Sequence, residues 1–199
     1  MAKKITYKRG RPKRGQISLT KESIVLAAWN MINRDGWENF GLGGLAANLG
    51  IRTPSLYNHI QSLEHLREEL RCFGLQILFE RLEENFQFGI AEKDKLQNFL
   101  FTYRNFAKAY PEFYHLTVLS TENSETLKPL GDKILKLTLE AFGFFQLDEE
   151  MTHKIRLVRS MLHGFVDLER LGGFGLPESV ETSFQILVDS VISGRLWNR

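Results

Sequence analysis

The sequence predicts an all-α fold, and three observations carry this prediction. Apolar residues recur every three to four positions along most of the chain, which is the period of an amphipathic helix. No part of the 199 residues shows the strict alternation of apolar and polar side chains that is typical of a half-buried strand. Glycine and proline interrupt the helical pattern at points that suit helix ends.

The N-terminal residues 1–18 are predicted to form a basic, flexible arm. Glycine and proline lie among the cations here, and no apolar period is present. Residues 1–16 contain seven basic residues and no acidic one, so they carry +7, while the remainder holds 19 basic and 24 acidic residues and carries −5. A basic tail on a mildly acidic body suits a protein that approaches a polyanion with one end.

Three helices are predicted within residues 19–66, which we assign to an N-terminal domain. The first begins near Thr20, whose hydroxyl can cap it, and ends at Gly36. The second covers 42–49 and closes at Gly50, a residue suited to the left-handed turn after a helix.

The third helix is expected to begin near Pro54, with Thr53 as its cap, and to run to about Ile60. Ser62 then opens a long fourth helix, which continues to about Phe79. Because this helix starts in the N-terminal domain, it is predicted to link that domain mechanically to the rest of the chain.

The remaining residues, 67–199, are assigned to a second helical domain. After the long fourth helix, the period predicts a helix over 96–110, a short one from Pro111, one over 130–141, a long one from Met151 to the glycines at 172 and 173, and a last one opened by Pro177.

The composition limits the kind of protein. Hydrophobic residues make up 43% and charged residues 25%, the balance of a soluble globular protein. No apolar run approaches the ~18 residues of a membrane span, and the first residues lack the apolar core of a signal peptide, so we expect a cytoplasmic protein without membrane contact. With Cys72 as the single cysteine and no Cys/His cluster at ligand spacing, neither a metal nor a cofactor is expected.

Residues 45–60 form the most specific motif. Two short helices meet at a glycine turn, and the second presents polar groups that can reach phosphates and base edges in a major groove. The candidate DNA-binding residues of this segment are Arg52, Thr53, Pro54, Ser55, Tyr57, Asn58 and His59. The alternative is a helical hairpin whose polar face only meets water.

Residues 19–70 resemble the DNA-binding head of the TetR family of transcriptional regulators. The resemblance implies that Arg52, Thr53 and Ser55 lie near bases and that Tyr57 and His59 lie at the DNA backbone. The chain departs from the family pattern in two places. Glycines at 41, 43 and 44 stand where the family usually has a Ser or Thr cap and a polar residue, and a leucine at 63 replaces a phosphate-contacting lysine.

The arm is similar to an AT-hook, in which a Gly-Arg-Pro core lies in a narrow minor groove between flanking cations. Its candidate DNA-binding residues are Arg9, Arg11, Lys13 and Arg14. An A/T-rich minor groove concentrates negative potential and admits arginine on an extended backbone. The alternative is a solvated basic tail that attracts DNA without specificity.

Two motifs in the second domain, over 103–114 and over 163–174, resemble the C-terminal domain of a TetR subgroup named for its Trp-His-Gly signature. This resemblance covers about 99–194, and no particular ligand follows from it. Aromatic stripes are more often core than pocket, yet aromatic walls with a few polar tips also form apolar-ligand cavities. The candidate ligand-binding residues are Phe99, Tyr103, Phe106, Tyr114, Phe142 and His163. His163 alternatively belongs to a polar face in water or at the rim of a subunit contact.

A homodimer is expected, because one head covers only a few base pairs and specificity needs two heads on a palindromic, double-stranded operator. The last two long helices are expected to form the interface as a four-helix bundle. The candidate residues are Ser160, Gly164, Leu168, Phe184, Leu187 and Val191.

The predicted function is a DNA-binding regulator, a repressor released from its operator by a small apolar or aromatic effector. An enzyme is not expected, since no catalytic triad, glycine-rich phosphate loop or metal constellation is present. The alternative is an architectural protein that coats A/T-rich DNA, which would explain the arm but not the patterned body.

Overall fold

A computed structural model of the chain describes residues 19–86, 91–143 and 147–194. Its helices are α1 (Lys21–Asp35), α2 (Leu42–Leu49), α3 (Thr53–Leu56), α4 (Leu63–Glu83), α5 (Glu92–Ala109), α6 (Pro111–Val118), α7 (Lys128–Ala141), α8 (Glu149–Arg170) and α9 (Val180–Ile192). No strand occurs in these ranges. The prediction of an all-α fold is confirmed.

Several helices begin where the sequence predicts because a side chain satisfies the free amides of the first turn. The Thr20 hydroxyl accepts from the Ser23 N–H, and the Ser23 hydroxyl oxygen accepts from the Thr20 N–H in return, which is a capping box. The Ser62 hydroxyl accepts from the His65 N–H at 3.0 Å and starts α4.

Two predicted helix starts are wrong. Thr53 is the first residue of α3 and not its cap, since Arg52 holds the extended cap position, and α3 ends at Leu56 instead of Ile60. Pro177 does not open the last helix. That helix begins three residues later, where the Ser179 hydroxyl accepts from the Thr182 N–H.

The first hydrophobic cluster lies in the N-terminal region and is formed by α1 to α4 together with one fully buried residue of α6. Its fully buried members include Ile24, Leu45 and Leu66. The α6 residue is Phe113, whose ring stacks on Trp29 of α1 with 3.6 Å between centroids. The core of the head therefore continues into the second half of the chain.

The second and larger cluster, the core of the body, lies among α4, α5, α7, α8 and α9 and includes Tyr114 of α6. Phe106 and Phe184 are fully buried members of it. Helix α4 belongs to both clusters, because Leu66 and Leu70 pack in the head while Leu78 and Leu82 pack in the body. At 21 residues, α4 is thus one continuous connection between the two cores.

Candidate nucleic-acid interface and ligand cavity

The helix-turn-helix is formed by α2 and α3. Gly50 ends α2 in the left-handed conformation, with φ of 70° and ψ of 26°, a geometry that favours glycine. The Ile51 N–H then donates to the Ala46 carbonyl at 3.0 Å and closes the turn. Leu45 and Leu56 are fully buried on the side facing α1 and α4, so the opposite side of α3 is left to solvent.

The predicted DNA-binding residues of α3 and the following turn lie at this surface. Arg52, Pro54, Tyr57 and Asn58 are exposed, and Thr53, Ser55 and His59 are half-buried. Within the described part of the chain, none of these side chains makes a hydrogen bond to another residue, so their polar groups stay available to a ligand. Arg9, Arg11, Lys13 and Arg14 of the arm lie outside the described residues.

The first turn of α2 lacks a side-chain cap, as its glycines imply. Gly41 holds the cap position, and Gly43 and Gly44 are exposed. A Cβ atom added at Gly41 or Gly43 would have no heavy atom within 4 Å. The amides of this turn are therefore open to an external acceptor.

A cavity of about 500 Å³ lies among α4, α5, α6, α7 and α8. Most of its wall is apolar, with contributions from Leu75, Leu78, Phe99, Leu100, Ile134, Leu135, Phe142, Ile155, Val158 and Leu162. Its polar lining residues can be divided into two sets. One group is Tyr103, Thr117, Arg159 and His163, and the other is Ser120, Thr121, Glu122, Asp132 and Thr138.

His163 is the centre of the first polar group. Its Nε2 lies 3.4 Å from the Tyr103 hydroxyl and 3.4 Å from Nε of Arg159, and its Nδ1 contacts the Tyr114 hydroxyl. A guanidinium only donates, so Nε2 acts as an acceptor in the Arg159 contact. In the neutral ring Nδ1 then carries the hydrogen and donates to Tyr114.

Burial keeps the imidazole of His163 and the phenols of Tyr103 and Tyr114 neutral. It lowers the pKa of His163 to about 4, and the positive charge of Arg159 adds to the effect against the opposing charge of Asp167. Burial also raises the pKa of Tyr103 to about 12 and raises the pKa of Tyr114. The formal charge of this set is therefore that of the Arg159 guanidinium.

The sequence identified part of the cavity wall. Phe99, Tyr103, Phe142 and His163 line it, but Phe106 does not. Phe106 is fully buried in the body core, with its ring 5.3 Å from that of Tyr110.

Tyr114 also lies behind the wall, where it supports His163 instead of facing the cavity. Sequence reasoning missed Arg159 as a cavity residue. Its position four residues before His163 on α8 was the available signal, because residues four apart share a helix face.

The end of α6 is held by two guanidinium groups from different helices. Arg71 of α4 donates to the carbonyls of Leu116, Leu119 and Ser120 at 2.9, 2.6 and 2.8 Å. Arg159 of α8 donates to the carbonyl of Val118. These bonds satisfy carbonyls that a helix end leaves without internal partners.

The predicted subunit interface is only partly available. Ser160, Gly164 and Leu168 are exposed on α8, and Leu187 on α9 is half-buried. Phe184 and Val191 are fully buried in the core of their own chain, which is a correction: neither can contact a second copy without unfolding the first.

Two exposed apolar side chains on α8 and α9 were missed by the sequence reasoning. They are Leu157 and Ile186, with exposed fractions of 43% and 61%, and they accompany the predicted Leu168 at 49%. A Cβ added at Gly164 would meet nothing within 4 Å, so a neighbouring helix has room to approach there.

The chain has an exposed helix-turn-helix that one continuous helix joins to a body with a ligand-sized cavity. This architecture is typical of transcriptional regulators. Among the described residues, no group of three or more His, Cys, Asp or Glu side chains could hold a metal. The same residues include no helix long and apolar enough to cross a membrane.

Comparison with known proteins identifies the family. Residues 96–191 match the family model described as the Tetracyclin repressor-like C-terminal domain. The chain is 31% identical over 182 residues to the HTH-type transcriptional regulator Rv0681 of Mycobacterium tuberculosis, covering 82% of this chain and 79% of that protein. It is 29% identical over 187 residues to the HTH-type regulator YobS of Bacillus subtilis, covering 92% and 96%.

A solved structure has the same fold. A TetR variant from Acinetobacter baumannii, determined in complex with minocycline, superposes with a TM-score of 0.65 at 22% identity, over 92% of this chain and 100% of that one. The chain belongs to the TetR family and is a transcriptional regulator of the TetR type.

Proposed function

We propose that the protein is a repressor that binds a palindromic operator as a homodimer and leaves it when a small ligand enters the cavity. The observation that carries this proposal is the double role of α4. Leu66 and Leu70 pack in the core of the head, while Leu75 and Leu78 line the cavity. A ligand that displaces the cavity section of α4 thereby changes the position of the head.

The cavity supports a ligand with a large apolar or aromatic part. Its wall offers Leu75, Phe99, Leu135 and Phe142, and apolar residues make up the larger part of it. A mainly apolar wall that also carries polar side chains is typical of small-molecule sites. The TetR variant of A. baumannii, which shares the fold, was determined with minocycline bound.

In the proposed complex with DNA, Arg52, Thr53 and Ser55 face base edges, while Tyr57 and His59 contact the backbone. The open amides at the start of α2 supply further contacts to phosphate. The arm residues Arg9, Arg11, Lys13 and Arg14 add the minor-groove contact that their AT-hook-like pattern predicts.

The decisive experiment compares two kinds of DNA. An operator obtained by selection from random DNA should be bound about a thousandfold or more tighter than random duplex at one fixed salt concentration. A ratio near one would favour the architectural alternative, a protein that coats A/T-rich DNA.

The sensing half is tested with a library of apolar and aromatic compounds on the protein–operator complex. We expect compounds that both raise the melting temperature and release DNA, because binding to one state stabilises it and opposes the other. Leu135→Trp, which fills the cavity, should abolish both effects while operator affinity is retained. If no compound does both, the protein is a constitutive DNA binder.

A further inference from the structure

We propose that the effector is an amphipathic carboxylic acid, whose apolar body fills the cavity and whose carboxylate binds Arg159 in competition with the carbonyl of Val118. This inference rests on the proposed ligand-sensing function and specifies its ligand class and trigger.

The first argument is that Arg159, an exposed side chain, has no ion-pair partner among the described residues. This guanidinium lines the cavity, yet no carboxylate of the described residues lies within 4.0 Å of its nitrogens. Its acceptors are the Val118 carbonyl and the neutral ring of His163. Arg159 is exposed to solvent, whereas Arg104, which is buried, is paired with Glu169 and Glu181, each at 2.7 Å.

The second argument concerns the acidic residues of the cavity. Glu122 and Asp132 line it, and both lie close to Nζ of Lys128, at 2.7 and 3.5 Å. A cationic ligand would have to displace Lys128 from these carboxylates. A carboxylate at Arg159 displaces only neutral acceptors, and a bond between two charged groups is stronger than one to a neutral acceptor.

The third argument is the position of Arg159 at the end of α6. The segment 116–120 is held from one side by Arg159 of α8 and from the other by Arg71 of α4. A carboxylate that takes Arg159 removes the bond to Val118, so the segment keeps its connection to α4 while it loses one to α8. The carboxylate of the ligand therefore releases α6 and α4 together from α8, while the apolar part of the ligand supplies affinity.

The test uses decanoate and 1-naphthylacetate as probes, each beside its methyl ester, with decylamine as the cationic counterpart. Binding is measured by titration calorimetry, and release is measured on the operator complex. In the wild type we expect each acid to bind at least about tenfold more tightly than its ester and to release DNA at lower concentration.

Three variants locate the effect. Arg159→Met should erase the preference for acid over ester while the esters still bind, which also shows that the variant is folded. Arg156→Met, an exposed arginine nearby on α8 that does not line the cavity, should keep the preference. Arg71→Met should bind the acids with unchanged affinity but release DNA less effectively.

Several results would overturn the proposal. Esters that bind as well as the acids would show that charge is irrelevant, tighter binding of decylamine would place the headgroup at Glu122 and Asp132, and an acid preference that survives Arg159→Met would exclude this guanidinium. Release of DNA by esters and acids alike would leave the proposed repressor function intact and would rule out only the assignment of the effector as a carboxylic acid. Failure of every probe to bind or release DNA would overturn the acid assignment, and the wider compound library would then decide the sensing function separately.

Discussion

Arg104 is the most deeply buried charge in the described part of the chain, with 2% of its side chain exposed. Its Nε and Nη2 donate to both carboxylate oxygens of Glu169 on α8, and its Nη1 donates to Glu181 on α9. The guanidinium also lies 4.4 Å from the ring centroid of Phe184. This one side chain therefore connects α5, α8 and α9.

The two glutamates should contribute very differently to stability. Glu169 is 16% exposed and Glu181 is 63% exposed. Glu169→Ala leaves a buried cation with one solvated partner and should lower the free energy of unfolding by about 3 kcal/mol, near the lower end for a broken buried pair. Glu181→Ala should cost less than about 1 kcal/mol, as exposed pairs do. Urea unfolding measures both, and equal losses would contradict the assignment.

His163 makes stability depend on pH in a defined direction. Its pKa is about 4 in the folded protein and about 6.5 when unfolded, so between these values the unfolded chain takes up a proton that the folded chain refuses. The stabilising contribution of the neutral ring is complete above pH 6.5 and is lost as pH falls toward 4.

The measurement compares the wild type with His163→Gln across this range. The stability advantage of the wild type should be constant above pH 6.5 and shrink toward pH 4, because only the wild type loses the contribution. Using the difference removes the titration of carboxylates common to both proteins. An advantage that stays level down to pH 4 would show that His163 is not kept neutral by burial.

At the scale of residues, sequence reasoning identified apolar residues of the cavity but neither Arg159 in its wall nor the burial of Arg104. Phe99 and Tyr103 are four apart on α5 and share the face toward the cavity, whereas Phe106 is turned into the core. The same apolar stripe contains all three, so periodicity alone cannot separate them. The burial of Arg104 depends on carboxylates more than 60 residues away in the chain, which no local pattern contains.

At the scale of helices, boundaries were predicted correctly where a local interaction sets them. Thr20, Gly50 and Ser62 each satisfy backbone groups within a few residues, and those groups are visible in the sequence. The starts of α3 and α9 were predicted wrongly because proline tolerates the first turn of a helix without fixing its first residue.

The exposed surface of α3 and the turn that follows it gives a prediction at this scale. Thr53→Ala or Ser55→Ala should change base preference by ~1–3 kcal/mol per lost contact, because base-edge bonds carry sequence information. Tyr57→Phe or His59→Ala should weaken binding to all sequences about equally, since phosphate contacts do not distinguish bases. Selection from random DNA with each variant separates the two roles. Unchanged preference in the Thr53 and Ser55 variants would exclude them as base readers.

At the scale of the whole molecule, the role of α4 was predictable, but the attachment of the end of α6 to α4 was not. The long fourth helix follows from one unbroken period, and it does enter both hydrophobic clusters. The bonds from Arg71 to the end of α6 span 45 to 49 positions in sequence. Such tertiary contacts between distant segments leave no trace in helical periodicity, so the connection that restrains α4 becomes visible only in three dimensions.

The subunit interface provides the last prediction, and the burial of each residue decides it. Gly164 is exposed with open space around its Cβ position, and Leu168 on the same helix is 49% exposed. Val191 is fully buried within its own chain. Gly164→Glu should therefore leave a folded chain with a charge in the path of the partner helix. Val191→Asp should instead place an unpaired carboxylate in the core.

Sedimentation and thermal unfolding distinguish these outcomes. If α8 and α9 form the interface, Gly164→Glu should sediment as a monomer with its helical circular dichroism retained, and should bind a palindromic operator much more weakly, because two linked heads gain from each other's binding. Val191→Asp should lose the cooperative unfolding transition before any monomer can be collected. A folded Gly164→Glu protein that stays dimeric would move the interface away from this face of α8, whereas a folded monomer of Val191→Asp would reverse the correction and return Val191 to the subunit contact.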